Sequence, residues 1–326
     1  MPLVSIIVLN YNSADYIECC VDSVQTQSYP ETELIIVDNA SSDGSIDLVE
    51  PFARKDSSIR IIRNRENLGF ASGMNAGALE ANGEYLMFLN TDVVLAPDYV
   101  SIALNALLKS ECRVGVVGGR IFRLVAGERT GEIDSGPIYL GRGFYHKIDD
   151  AVGKRSFVFG PAGSCPLVSK KMLDDIALEN GDYYDSSYFM YAEDTDLWFR
   201  AQLRGWKCLY EPQAIAWHTR AGSFEGKRRL YERPLKAQRW AYRNRWNTMV
   251  KVLPRSLFFQ LVPYLFLMEL VTVGYLLLKS PGSLRALPLA ALDAISSLPE
   301  TLVKRKYIQS NRTVEKIELT KFFKGF

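Results

Sequence analysis

Three stretches of this chain place acidic and polar residues where a fold can bring them together. Residues 85–92, Tyr-Leu-Met-Phe-Leu-Asn-Thr-Asp, pass from a strand-compatible apolar run straight into polar groups. A buried parallel strand of that kind delivers its last residues, here Asn90 and Asp92, to the carboxyl edge of a sheet. Residues 192–200 read as a helix that opens on the acids Glu193, Asp194 and Asp196. Acids favour helix N-termini by roughly 0.3–1 kcal/mol each, so one or two of the three need do nothing more. His218, one of two histidines, follows a short apolar strand at residues 214–217, and packing between strands is the plainer account of it.

The elements that must position these residues follow from apolar runs alternating with capped helical stretches. Apolar runs at residues 3–9, 33–37, 59–62 and 85–89 alternate with three helices, and each run is apolar on both faces. That pattern predicts an α/β fold, a doubly wound and mostly parallel sheet with flanking helices. Polar residues gather after the first, second and fourth runs, as Leu9-Asn10-Tyr11-Asn12, Asp38-Asn39 and Asn90-Thr91-Asp92, on the edge where such sheets bind ligands. Asn67-Leu68-Gly69-Phe70-Ala71-Ser72-Gly73 opens the third helix, which reaches Asn75, with small residues that let a backbone or ligand come close. No glycine-rich loop follows the first strand, so the dinucleotide-binding fingerprint is excluded.

Further along, a helix is expected at residues 97–108 and a strand at 114–122, with loops and a hairpin over the site at 123–155. Residues 157–168 read as one strand interrupted by Gly160-Pro161-Ala162-Gly163-Ser164, and a helix at 169–177 follows. Two short strands are expected at 207–210 and 214–217.

Composition bounds the functional classes. The 326 residues are 48% hydrophobic and 23% charged, which excludes bulk disorder. A net charge of +2 makes no case for nucleic acid as a partner. The five cysteines are odd in number and lack paired zinc spacing, fitting a reduced, cytosolic setting. Met1-Pro2-Leu3-Val4 has no basic leader and reads as the approach to a first strand.

The C-terminal hundred residues differ in character. Residues 226–253 predict a long basic helix, and 257–278 are almost wholly apolar, about long enough to span a bilayer. Pro263, Glu269 and Gly274 interrupt that stretch, and Lys or Arg flank both its ends. The favoured expectation is therefore helices lying in the membrane interface, with buried core helices, a homodimer surface or a true span as rivals. This divides the chain into a domain at 1–225, with two halves meeting near residue 95, and a helical region at 226–326.

Residues 4–12, 33–43, 67–75, 89–92 and 193–196, in this order, resemble the family 2 glycosyltransferases with the GT-A fold. Within them the chain is most similar to the bacterial rhamnosyltransferases of O-antigen and cell-wall polysaccharide assembly. The resemblance implies an inverting transfer of a sugar, expected to be L-rhamnose, from a dTDP- or UDP-sugar to a polyprenyl-diphosphate-linked or growing polysaccharide acceptor. Together with the apolar C-terminal helices it implies a peripheral enzyme on the cytoplasmic face of the bacterial inner membrane, its nucleotide-sugar half at about 1–95 and its acceptor half at about 96–225. Asp194, in the pair Glu193-Asp194, matches the general base, and Asp92, with His218 as second ligand, matches the holder of Mn2+ or Mg2+. Asp38 matches the position that reads the pyrimidine. Leu9, Asn10, Tyr11, Asn12, Asn67, Gly69, Phe70, Asn75 and Asn90 are the further donor-site candidates. Gly163, the aromatic residues before Glu193 and Trp198 are expected to shape an acceptor pocket. Asn90-Thr91-Asp92 keeps only one carboxylate of the family's usual acid pair. The rival functions are a nucleotidyltransferase acting on sugar phosphates and a non-catalytic nucleotide-sugar-binding protein.

Overall fold

The computed structural model describes residues 1–148, 153–220, 229–314 and 319–325. Its first part alternates strand and helix: β1 Val4–Asn10, α1 Ile17–Gln25, β2 Thr32–Asp38, α2 Ser45–Lys55, β3 Ile59–Arg63, α3 Gly69–Leu79 and β4 Tyr85–Asn90. The chain goes on through β5 Val93–Leu95, α4 Tyr99–Leu108, β6 Val114–Val125 and β7 Glu128–Ser135. The short strands β8 Ile138–Leu140, β9 His146–Ile148, β10 Ser156–Val158 and β11 Leu167–Ser169 precede α5 Lys170–Ile176, α6 Glu193–Leu203 and β12 Lys207–His218. The C-terminal helices are α7 Leu235–Val252, α8 Arg255–Lys279, α9 Ala286–Ser296 and α10 Leu298–Ser310.

The main sheet runs β10-β12-β6-β11-β4-β1-β2-β3. Strands β1 to β4 are mutually parallel, as are β6 and β12, while β11 lies antiparallel between β4 and β6. Strands β1, β2, β4 and β12 therefore end on one edge, at Asn10, Asp38, Asn90 and His218. The expected doubly wound α/β architecture is present. Residues 157–168 are two short strands rather than one, because the Gly160–Ser164 segment leaves the sheet to approach α6. Residues 207–218 form one strand with an irregularity between Glu211 and Ile215, in place of the two expected.

The C-terminal helices share the core of the preceding α/β part. Val252, Leu253, Leu257, Leu261 and Leu265 bury in the same cluster as Phe88, Trp198 and Phe199. Buried charge reinforces the join: Lys251 pairs with Asp185 and, at 2.8 Å, with Asp196, which also accepts from Arg200 at 2.9 Å. The tail returns as well, with the Leu140 N–H donating to Phe322 O at 2.9 Å. The expected boundary at 225 and the helix start at Gly226 lie outside the described residues; α7 itself begins at Leu235.

Helix α8 lies along this body. It docks through Leu257, Leu261, Leu265 and Leu276, and Glu269 pairs with Arg245 of α7. Its other faces are exposed and apolar, including Phe259, Phe266, Leu270 and Leu278. The second apolar stretch breaks between α9 and α10, which bend by 62°.

Candidate active site

Asp92 and His218 meet because β5 reverses direction directly after the Asn90-Thr91-Asp92 turn. Val93 pairs with His218 across the β5–β12 ladder, and the Thr219 N–H donates to Asp92 O at 3.0 Å. His218 Nε2 then lies 3.2 Å from Asp92 Oδ1, and its Nδ1 lies 3.2 Å from Asp134 Oδ2. Asp134, on β7, is fixed in turn by Arg220 Nε, which donates to its Oδ1 at 2.6 Å. Burial alone would lower the His218 pKa, but Asp92 and then Asp134 outweigh it and push the imidazole up to about 9. The two carboxylates thus flank one imidazole, and a metal at Nε2 would take the place of the proton that nitrogen shares with Asp92. Sequence reasoning missed Asp134, which sits in a hairpin without periodicity that could have marked it.

Among the described residues, no group of three or more His, Cys, Asp and Glu side chains converges as a metal site. Asp92 and His218 supply an oxygen and a nitrogen donor side by side. A hard divalent cation held by one or two protein groups plus substrate phosphates suits that pair. The neighbouring Asn90 adds a buried side-chain Oδ1 that has no hydrogen-bond partner.

The acid-led helix comes to the same edge through the Gly160–Ser164 segment. Asn90 N–H donates to Ser164 O at 2.9 Å, and a Cβ on the preceding Gly163 would stand 3.0 Å from Asp194 Oδ2. Asp194 Oδ1 accepts from its neighbour's Thr195 N–H at 2.6 Å. Thr195 Oγ1 lies 2.8 Å from His146 Nε2, so the second histidine also reaches the site. Burial, then the charge of Asp194, raises the Glu193 pKa to about 8, and its Oε2 has no partner. Burial thus holds Glu193 neutral near pH 7. Asp196 faces inward in the ion network, as a structural group.

The first loops are stitched together by their own polar groups. Asn10 Nδ2 donates to Asp38 Oδ1 at 2.9 Å and to Ser45 Oγ at 2.8 Å. Asn12 takes a left-handed conformation and accepts the Ser42 N–H at 2.8 Å. Tyr11 is 41% exposed beside them, leaving its ring open to a ligand.

Several expected donor contacts belong to the scaffold instead. Asn75 holds both backbone groups of Tyr184, donating to its O at 2.8 Å and accepting from its N at 2.9 Å, so its amide is not available to ribose or phosphate. Gly69 has φ +81°, and a Cβ there would collide with Phe189 O. Phe70 N–H donates to that same oxygen at 2.6 Å, while its ring meets the edge of Tyr184. Asn67 Oδ1 closes a turn onto Gly69 N–H at 2.9 Å. Leu9 packs beneath Gly73. These residues seat the loop before α6 rather than a substrate.

The aromatic expectation is corrected in the same way. Trp198, Tyr184 and Tyr188 are fully buried core, with Trp198 Nε1 donating to Pro161 O at 3.1 Å. The stacked aromatic pair flanking the loop is Phe189 on Trp240, with ring centroids 4.4 Å apart. Arg220, Arg243 and Arg245 act as fasteners, donating to Asp134, Ser187 O and Phe144 O.

A family model described as "Glycosyl transferase family 2" matches residues 5–177, more than half of the chain. The chain belongs to glycosyl transferase family 2. The teichuronic acid biosynthesis glycosyltransferase TuaG of Bacillus subtilis is 37% identical over 117 residues, 36% of this chain and 46% of that protein. The matched stretch covers less than half the length of each of three such curated relatives. Among solved structures, S. aureus TarS 1-349 in complex with UDP superposes with a TM-score of 0.60 at 16% identity, covering 98% of this chain and 89% of that one. GalNAc-T7 with UDP, GalNAc and Mn2+ gives 0.63 at 15% identity, over 77% and 48%. At these identities the structural likeness concerns the GT-A-type fold alone.

Proposed function

We propose that this chain is an inverting glycosyltransferase that moves a sugar from a nucleotide donor to an acceptor hydroxyl at the sheet edge. The observation that carries it is the Gly163-Ser164 connector, which ties the Asp194 carboxylate to the strand end bearing Asn90 and Asp92. Asp194 takes the proton of the attacking alcohol, a contribution typically worth 10²–10⁴-fold. A single displacement opposite the leaving group inverts the anomeric carbon.

Asp92 and His218 are the residues that would hold Mn2+ or Mg2+, and such a cation neutralises charge developing on the leaving diphosphate. Asp134 fixes the orientation of His218 toward it. Asp38, whose carboxylate already accepts from Asn10 and from the Ser41 N–H, would read the pyrimidine N–H through a remaining lone pair, and the exposed Tyr11 ring would lie against the base. GalNAc-T7 with its UDP and Mn2+ supports a pyrimidine diphosphate donor and a divalent cation. L-rhamnose from dTDP-rhamnose is the donor that the sequence resemblance favours. The teichuronic acid role in TuaG's name supports a growing cell-surface polysaccharide, carried on a polyprenyl diphosphate, as acceptor.

The same reading places the enzyme on the cytoplasmic face of the membrane, monotopic. The ion pair from Glu269 in the middle of α8 to the body supports a helix lying in the interface with its exposed apolar side toward lipid, because a spanning helix would leave that body behind. A panel of nucleotide sugars, with and without Mn2+, tests the whole proposal. Release of nucleoside diphosphate that depends on acceptor is expected. Pyrophosphate release, or binding without turnover for every donor, would contradict it.

A further inference from the structure

The C-terminal helices carry a concentration of charge that sugar transfer does not use. Where α7 ends and α8 begins, a groove of about 710 Å³ opens against α10, lined by Arg255, Arg305, Lys306 and Arg312 together with Leu302 and Gln309. No acidic side chain lines it among the described residues. Arg305 is held in place by donating to Val250 O and, at 2.9 Å, to Leu253 O. Burial, then the nearby Arg255 charge, lowers its pKa from the ordinary value. Among the described residues Arg255 and Lys306 have no ion-pair partner. Like charges gathered in one concavity repel unless an anion sits among them.

What surrounds the groove selects the kind of anion. Phe259, one turn along α8 from Arg255, is 71% exposed; on α10, Leu302 is 48% and Val303 60% exposed. The exposed apolar side chains of both helices thus run into the cationic groove. A phosphate borne on an acyl chain matches that combination, with charge met by Lys and Arg and apolar matter met by the flanking helices. A free sugar phosphate would leave the apolar surroundings unused.

We propose that this groove binds the phosphate headgroups of anionic membrane lipids and seats the ends of α8 and α10 at the bilayer surface. It rests on the interfacial reading of α8 and adds to it a specific headgroup site. The test is flotation of the full chain with vesicles of phosphatidylcholine alone or mixed with phosphatidylglycerol. Tighter binding to the mixed vesicles is expected. Because each Lys or Arg near such a surface is worth about fivefold in affinity, the double variant Arg255→Gln with Lys306→Gln should lose about 25-fold on mixed vesicles and keep its binding to neutral ones. The double variant Arg255→Lys with Lys306→Arg, which keeps both charges, should retain the preference, and equal thermal unfolding of all three proteins excludes a folding defect. An unchanged preference in the Gln variant would overturn the groove while leaving membrane association intact. Absence of binding to either vesicle by the unsubstituted chain would overturn both. Stabilisation by inorganic phosphate in solution equal to that by mixed vesicles would replace the lipid with a free anion.

Discussion

The Asp194 carboxylate lies against the α-carbon of Gly163, so closely that a Cβ there would stand 3.0 Å from Oδ2. One residue on, Ser164 O accepts the backbone N–H of Asn90. Helix α6 and the strand ending near Asp92 are therefore set relative to each other through two backbone positions. Gly163→Ala must push the carboxylate aside by a few tenths of an ångström. Misplacement of a reacting group by about 1 Å costs on the order of 100-fold, so roughly a tenfold loss in kcat is expected. Donor affinity should not move, and steady-state kinetics beside equilibrium binding of the nucleotide sugar check both.

Asp134 touches no proposed substrate atom, yet it holds His218 Nδ1 and is held by Arg220. Removing such an outer partner typically weakens metal affinity 10–100-fold. Asp134→Asn is therefore expected to raise the Mn2+ concentration needed for half-maximal turnover by that factor, while saturating Mn2+ restores most of the rate. Chelation with EDTA should abolish turnover of the unsubstituted enzyme, and added Mn2+ should recover it. Activity indifferent to chelator would refute the assignment of Asp92 and His218.

Much of this arrangement was legible in the sequence, because the strands that build the edge are buried on both faces and end in polar residues. Asp92, Asp194 and His218 all announce themselves by position: two at the ends of apolar runs, one at a helix start. The scaffold roles of Asn75, Gly69 and Trp198 were not legible. An asparagine that ties down a distant backbone has the same local sequence as one that binds ribose, and only the fold brings Tyr184 to Asn75. Asp134 and the Phe189–Trp240 stack likewise depend on contacts far apart in the chain. The C-terminal helices looked separable from their composition, but Lys251 buried between Asp185 and Asp196 makes them part of the support of α6.

That buried network has a thermodynamic consequence. Breaking a buried pair by removing one partner typically costs 3–5 kcal/mol, because the remaining charge is uncompensated. Lys251→Met should destabilise the fold by about that amount, seen as a lower denaturant midpoint. Burial would raise the Asp185 pKa, but Lys251 and Lys304 outweigh it and hold the carboxyl well below its usual range. A depressed carboxyl pKa gives stability that is present above the unfolded value, about 4, and is lost as pH falls below it. The unsubstituted protein should therefore lose stability on acidification below pH 4, more steeply than Lys251→Met.

Glu193 titrates in the opposite sense. Its folded pKa of about 8 lies above the ordinary carboxyl value of 4.5, so folding takes up a proton between those values. Its contribution turns increasingly unfavourable as pH rises from 4.5 to 8 and is constant above that window. Glu193→Gln should stabilise the fold by an amount that grows across the same range, measured by denaturant titration at several pH values. A gain independent of pH would contradict the assigned protonation.

The central claim is that Asp194 removes the acceptor's proton, and the most direct measurement is turnover of Asp194→Asn beside its affinity for the nucleotide sugar. A fall in kcat of about 10²–10⁴-fold with donor affinity unchanged is predicted. A folded Asp194→Asn protein that turns over at the unsubstituted rate would contradict it.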